Sequence, residues 1–417
     1  MTFRRIGHGR HHGERAERYP AVAAGVCPGR SAGRLPGRSA GSLDLPGHLP
    51  PVTGASAQVS GEMYLGGDPG LMTTSSHSHA RGAGTGARTK DEAAVLAASG
   101  HLTDRDRDLV RLVAVHRVLA TSQLAALGFG NSTTARHRLS VLVRLGLLRR
   151  FRPHTPTGSA PWHYVLGPVR AAMLGVEDRE ETRWLPHVRA DRQLSLERSP
   201  RLTHMTGRNW FFVALARDAR AHGGELREWL NEADTAARYE NAAVRQDDRA
   251  RLPHPDGAGT WAEDGRAASF LLEYDTGTEH LPVLAGKLDG YQVLAAGLAW
   301  HGQICPVLLF CFGSPRREQG ARRALAATRQ AADLRIATAS IDPRLTSPAG
   351  PVWLPLLNHA GRQARLIDLD DAIPDPWRQY REDRARERRR AAERERALRP
   401  DDEDDEPAAL ADGEEFR

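Results

Sequence analysis

Four residues could do chemistry on a phosphate: Asp256, Glu273, Asp275 and Lys287. Glu273 and Asp275 lie two apart in SFLLEYD (residues 269–275), an apolar run that predicts a strand. Strand alternation puts both carboxylates on one face. Asp256 follows Pro255 in a turn. Three carboxylates converging at strand ends would form a hard oxygen site for Mg²⁺ or Mn²⁺, with Asp256, Glu273 and Asp275 as metal ligands. Such an ion polarises a phosphodiester and supplies hydroxide for attack. Asp256, Glu273 and Lys287 form the candidate catalytic set, in which Lys287 would orient water or steady the crowded phosphate charge. Tyr291 shares its helix face one turn on. Of 58 basic residues only Lys90 and Lys287 are lysine, so an ammonium's compact shape and tunable proton are what position 287 retains. The plainer reading is a strand-end turn, with Thr276-Gly277-Thr278 capping the next helix, and a surface lysine.

The elements that must position these groups alternate between the two hydrophobic periods. Residues 209–222 (NWFFVALARDARAH) predict an apolar helix stopped by Gly223-Gly224. A strand is expected at 225–232, then a polar looped segment up to Gly257, then the strand at 269–275. A helix at 281–300, a buried strand at 304–312 (ICPVLLFCF), an arginine-rich helix at 315–332 and a strand at 334–341 follow. Helix, three strands, helix, strand is an α/β order, and 209–372 is the expected domain. No phosphate loop of Walker type, dinucleotide fingerprint or nucleophile elbow occurs.

Upstream, residues 102–166 read as a winged helix-turn-helix. Thr103 and Asp106 make a capping-box-like start, and Leu109, Leu112, Val113 and His116 recur at helical spacing. Thr121 is expected to cap a short second helix that ends at Gly128. Ser132 starts a third, with Ala135, Leu139, Leu142 and Val143 inward. Two β-like runs, around 147–152 and 162–166, flank a Pro/Gly turn that reads as a wing. From Leu109 to Val176 there is no Asp or Glu but there are nine arginines, the electrostatic footprint of a polyanion site. The outward face of the third helix nominates Thr134, Arg136, His137, Ser140 and Arg144 for DNA bases, and Arg149, Arg150 and Arg152 for phosphates. A solvated basic face is the bland alternative.

Composition bounds the rest. The first 88 residues, rich in Gly, Pro, Ser, His and Arg, are expected to be disordered, with Met63 or Met72 as alternative starts. His77-Ser78-His79 lacks the flanking apolar strand that a metal site would need. The expected winged-helix domain spans 89–176, beginning with a short helix at 90–98, and a connector spans 177–208. A charged helix or arm and an acidic tail, 373–417, end the chain, with the acidic run at 401–406. Cys27, Cys305 and Cys311 lack metal-ligand spacing, and the last two read as buried thiols of a cytoplasmic protein. No apolar run approaches membrane-spanning length. The expected fold is thus α+β and α/β, a winged helix followed by an α/β domain between disordered tails.

Two resemblances sharpen this. The αβββαβ order, with a Pro-Asp turn before a Glu-bearing strand, resembles the PD-(D/E)xK nuclease core. The lysine expected two residues after Glu273 is replaced by Asp275, and Lys287 would supply the amine from the helix. The stretches LTDRDRDLVRLVAVHRVLATSQLAALGF, TARHRLSVLVRLGLLRRF, PWHYVLGP, PDG, FLLEYDTGTE and KLDGY together resemble the replication-relaxation family of actinobacterial plasmid and mobile-element proteins. That resemblance implies duplex DNA as partner, relaxase or replication proteins beside it, and a homodimer as one allowed state. It carries no established reaction. A DNA-binding accessory protein, a Mg²⁺- or Mn²⁺-dependent nuclease or nickase, and a winged-helix transcription regulator are the functions left open.

Overall fold

The computed structural model describes residues 100, 102–155, 158–169, 195–357 and 361–398. It is a mixed α/β chain with a three-stranded and a six-stranded sheet. The glycine- and arginine-rich segment 1–88, the helix expected at 90–98, most of the connector, Cys27 and the acidic run 401–406 lie outside the described residues.

Helix α1 (Asp104–His116) starts in the expected capping box. Thr103 Oγ1 accepts the Asp106 N–H, and the Asp106 carboxylate accepts the Thr103 N–H at 2.9 Å. Its stripe of Leu109, Val110 and Val113 is buried. Strand β1 (Leu119–Ala120) is too short to show in any periodicity. Helix α2 (Thr121–Gly128) corrects the expected cap: the N-cap is Ala120, whose N–H goes to Gln123 Oε1 at 2.8 Å. Thr121 instead donates its hydroxyl to the Trp162 carbonyl at 3.0 Å. Helix α3 (Ser132–Arg144) is capped by Asn131, which accepts the Thr134 N–H at 2.8 Å. Ala135, Leu139 and Leu142 are buried, while Val143 is only half-buried. Strands β2 (Leu148–Phe151) and β3 (His163–Leu166) pair antiparallel, and β1 adds to the far side of β3.

Helix α4 (Leu202–His222) begins at Leu202 rather than at 209, and closes on Gly223 at φ +88°, the left-handed geometry that glycine adopts without penalty. The large sheet follows in the order β4 (Glu225–Asn231), β5 (Gly257–Glu263), β6 (Arg266–Asp275), β7 (Val307–Phe312), β8 (Ile336–Ser340) and β9 (Leu354–Pro355). The first three strands are antiparallel, β6 to β8 parallel, and β9 antiparallel. The segment expected to loop between β4 and β5 instead holds helix α5 (Glu232–Tyr239) and a 3₁₀ turn at Gln246–Arg251. The single helix expected over 281–300 is two, α6 (Leu281–Gly286) and α7 (Leu288–Trp300), broken at Lys287. Helix α8 (Pro315–Ala326) is shorter than its arginine-rich run.

Strand alternation sorts the core into two layers. Leu271, Leu308, Phe310 and Phe312 meet Leu284, Leu288, Leu294 and Ala321 of α6, α7 and α8. Phe270, Leu272, Leu309 and Cys311 face Phe211, Phe212 and Leu215 of α4 on the other side. Val213, also on α4, packs into the core of the helical unit formed by α1 to α3. One helix thus serves both layers, which explains why its middle run, Phe211 to Leu215, is buried without a break.

After helix α9 (Leu369–Ala372), helix α10 (Arg378–Leu398) corrects the expectation of an unpacked arm. Trp377 Nε1 donates to the Asp333 carbonyl at 2.9 Å, Arg384 lies 3.6 Å above the Trp300 ring, and Arg388 donates to the Trp300 carbonyl at 2.5 Å. Its far half is exposed. Among the described residues no helix is long and apolar enough to cross a membrane.

Candidate functional site

Glu273 and Asp275 share the α7/α8 face of β6, as alternation requires, while Tyr274 between them faces α4. The carboxylates are buried, and burial without a partner would be costly for a charge. Each has one. Glu273 accepts from Lys287 Nζ at 2.9 Å and from the Tyr291 hydroxyl. Asp275 accepts from Arg317, at 2.7 Å from Nη2, and from the Gly277 N–H. Lys287 reaches this position because it sits at the break between α6 and α7, and it also contacts Glu279 at 3.1 Å.

Asp256 stands at the entrance to β5 and belongs to neither face. Its N–H donates to the Leu272 carbonyl at 2.9 Å, and its Oδ2 accepts the Tyr274 N–H at 2.8 Å. The same oxygen lies 3.0 Å from His204 Nε2. Arg208, one turn further along α4, donates from Nη1 to the Asp256 carbonyl at 3.2 Å and to Glu232 at 3.4 Å. Gly207 makes this approach feasible: a Cβ there would stand 2.3 Å from the Tyr274 ring.

Burial and the nearby Asp256 charge push the Glu273 carboxyl up to about 7, against the pull of Lys287 and Tyr291. Burial opposes the charge on Lys287, yet Glu273 and Glu279 raise it above the ordinary lysine value. Burial likewise opposes protonation of His204, and the Asp256 bond outweighs it, so the imidazole is raised. Glu273 is therefore harder to ionise than an ordinary glutamate, even with Lys287 and Tyr291 bonded to it.

The structure brings Asp256, Glu273, Lys287 and Tyr291 into one neighbourhood. Asp275 shares its strand but is committed to Arg317. Among the described residues no group of three His, Cys, Asp or Glu side chains is placed to hold a metal ion. Both oxygens of Glu273 and of Asp275 are engaged by protein donors, so the set as paired does not fit a three-carboxylate metal centre. Sequence reasoning missed His204, Arg208 and Arg317. His204 and Arg208 stand four apart in LTHMTGRN, a spacing that shares a helix face, but this polar stretch gives no apolar period.

The basic surface is built differently. Thr134, Arg136, His137 and Arg144 are exposed on α3, and Ser140 is half-buried. Arg138 is not part of it: its guanidinium is clamped on the buried Asp106 at 2.5 Å. On β2, Arg149 is half-buried, while Arg150 and Arg152 are exposed and stack on Trp162, at 4.3 and 4.2 Å from the ring centre. Stacking of this kind limits where a guanidinium can wander without neutralising it.

The helical unit and the large sheet meet through polar bonds as well as core. Gln123 donates to the Thr206 carbonyl and Asn209 to the Val118 carbonyl, each at 2.9 Å. Arg220 donates to the Leu127 carbonyl at 2.9 Å, and His116 stacks on Trp229 at 3.8 Å.

Residues 110–308 match the family model described as replication-relaxation, which runs from inside α1 to the start of β7. No curated protein and no solved structure matches the chain.

Proposed function

From the match of residues 110–308 to the replication-relaxation family model, we propose that the chain binds duplex DNA through residues 102–166, a winged helix, in plasmid or mobile-element replication or mobilisation. The observation that carries this is the pairing state of the cations. Arg136, Arg144, Arg150 and Arg152 are exposed on α3 and the β2–β3 hairpin, in a sequence run without a carboxylate. Helix α3 is the one a major groove admits, with Thr134, Arg136, His137, Ser140 and Arg144 toward base edges; Arg149, Arg150 and Arg152 hold phosphates. The reading expects relaxase or replication proteins, or a second copy of the chain, alongside.

Titrating a labelled duplex over a salt series tests it. Replacing Arg150 and Arg152 by Ala weakens binding to all sequences and makes the dependence of log K on log salt shallower by about two. Unchanged affinity and slope would remove the winged-helix assignment.

A second reading rests on the order α4, β4, β5, β6, α7, β7, once α5 between β4 and β5 and the short α6 before α7 are set aside as insertions, with β7 parallel to β6. This is the αβββαβ order of a PD-(D/E)xK-like core, with Asp256 before its second strand and Glu273 on its third. In a nuclease or nickase of this type Asp256, Glu273 and Lys287 are the catalytic candidates, and Asp275 the added metal candidate. The present pairing of the carboxylates supports no step through a metal. Incubating supercoiled DNA with the protein and Mg²⁺ or Mn²⁺ decides it: nicking lost in Asp256→Asn and Glu273→Gln supports the reading, and no nicking, or nicking that persists in both variants, ends it.

A further inference from the structure

At the seam between the helical unit and the sheet, two arginines and a histidine gather near Asp256 and Glu232. Arg208 is only 4 % exposed. Its hydrogen bonds both leave from Nη1, to the Asp256 carbonyl and, at a long 3.4 Å, to Glu232. Its other guanidinium nitrogens have no hydrogen-bond partner among the described residues, and they are not sealed from solvent. A guanidinium carries five N–H donors in a planar fork suited to a tetrahedral oxyanion. With the others open to solvent, the fork has donors free to turn to an incoming acceptor.

The backbone brings a second arginine to the same place. Arg117 ends α1 at φ +69° and ψ −44°, a conformation in which any L side chain is strained. Its neighbour His116 accepts from Asn209, the residue after Arg208, at 3.4 Å, and Val115 accepts from Asn231, the residue before Glu232, at 2.9 Å. Asn209 also donates to the Val118 carbonyl at 2.9 Å, so the backbone on both sides of the exposed Arg117 is bonded to the residue that follows Arg208. His204 lies on the same helix as Arg208, its ring held at 3.0 Å from Asp256. Glu232, with its side chain 51 % exposed and its contact long, is the group an incoming anion would displace.

We propose that this seam is a seat for one backbone phosphate of the bound DNA, gripped by Arg117 and Arg208. The proposal rests on the DNA-binding reading and adds a contact outside the winged helix. It also gives α4 a second task. A phosphate on Arg208 lies beside the Asp256–His204 pair, so the strand that α3 and the wing hold would run past the buried carboxylates. The strained turn at Arg117 is then the conformation that aims its side chain at the strand.

The test uses the full chain and a labelled duplex oligonucleotide over a salt series. Arg117→Gly removes the guanidinium and relieves the positive φ, so its thermal midpoint stays level or rises. Its dependence of log K on log salt becomes shallower by about one. Arg117→Lys restores that slope, since one cation replaces another. A wild-type slope in Arg117→Gly, while the Arg150 and Arg152 variants lose theirs, overturns the seat and leaves the winged-helix reading standing. A lost slope that Arg117→Lys does not restore also overturns it, because charge is then not what position 117 supplies. If none of these variants changes binding, the DNA-binding reading fails and the seat falls with it.

Discussion

The helical unit and the large sheet handle cations in opposite ways. On α3 and the β2–β3 hairpin Arg136, Arg144, Arg150 and Arg152 stand exposed, the last two stacked on the Trp162 ring. Around β6 every cation is tied to an acid: Lys287 to Glu273 and Glu279, Arg317 to Asp275, Arg208 weakly to Glu232. A surface of the first kind accepts a phosphate without breaking anything. A site of the second kind must exchange one partner for another, so its charges stabilise the fold before they do any chemistry. The contrast is cleanest at Arg138, which belongs to α3 by sequence but is clamped on Asp106 as firmly as the sheet's pairs.

The largest effect expected from this difference is at Glu273. Removing its carboxylate in Glu273→Ala leaves the buried Tyr291 hydroxyl without its acceptor, a loss of about 1–3 kcal/mol to which the cavity left by the side chain adds, while the half-exposed Lys287 keeps Glu279. Urea denaturation measures it. A loss below about 1 kcal/mol would mean that the buried pair is not structural and would blur the contrast. Arg136→Ala should do the reverse. It leaves unfolding within about 0.5 kcal/mol of the parent but removes about 1–3 kcal/mol of discrimination between DNA sequences, read by competition between duplexes. An Arg136→Ala variant with unaltered preference would turn the exposed face of α3 away from the groove.

The joint between the two regions supplies a test by pH. His116 is fully buried on Trp229, with Nδ1 lacking a partner. Burial, aided by the Arg208 charge, holds its imidazole well below the ordinary 6.5. Below pH 6.5 the unfolded chain takes up a proton that the folded His116 refuses. Stability therefore falls on acidification, by up to about 1.4 kcal/mol per pH unit, and is fully kept above 6.5. His116→Phe keeps the ring stack and should flatten the difference between denaturation midpoints at pH 7 and pH 5. An equal acid sensitivity in the variant would place the effect elsewhere, and would show the joint to be indifferent to charge.

The two regions also differed in how far their sequence could be read. The capping box at Thr103, the α3 face and strands β6, β7 and β8 were legible because one residue period and one burial pattern coincide there. Strands β1 and β9 span two residues each, too few for any period. Strand β5 was counted in the order but given no residues, for a packing reason: a Cβ at Gly257 or Gly259 would meet Phe212, so small residues stand where a strand former is expected. Around the carboxylates the period was visible but the partners were not. Arg317 and His204 reach Asp275 and Asp256 from helices 42 and 52 residues away in sequence, and no local pattern encodes such a meeting. The break at Lys287 was hidden as well, because LPVLAG and LDGYQVLAAGLAW join without a residue that forbids helix.

Trp162 carries the smallest of these effects and the finest test of the comparison. If the exposed arginines are held ready by stacking alone, Trp162→Leu keeps the apolar packing of the hairpin while removing the ring face under Arg150 and Arg152. The guanidinium groups stay charged, so the number of phosphates neutralised, and with it the salt slope, is unchanged. What is lost is their ordering, worth about 0.5–1 kcal/mol at an exposed site, or a few-fold in Kd at every salt concentration. A parallel downward shift of the log K against log salt line is therefore the expected signature. A change of slope instead would mean that Trp162 fixes which arginines reach phosphate at all, and the wing would then resemble the sheet, where each cation depends on a fixed neighbour.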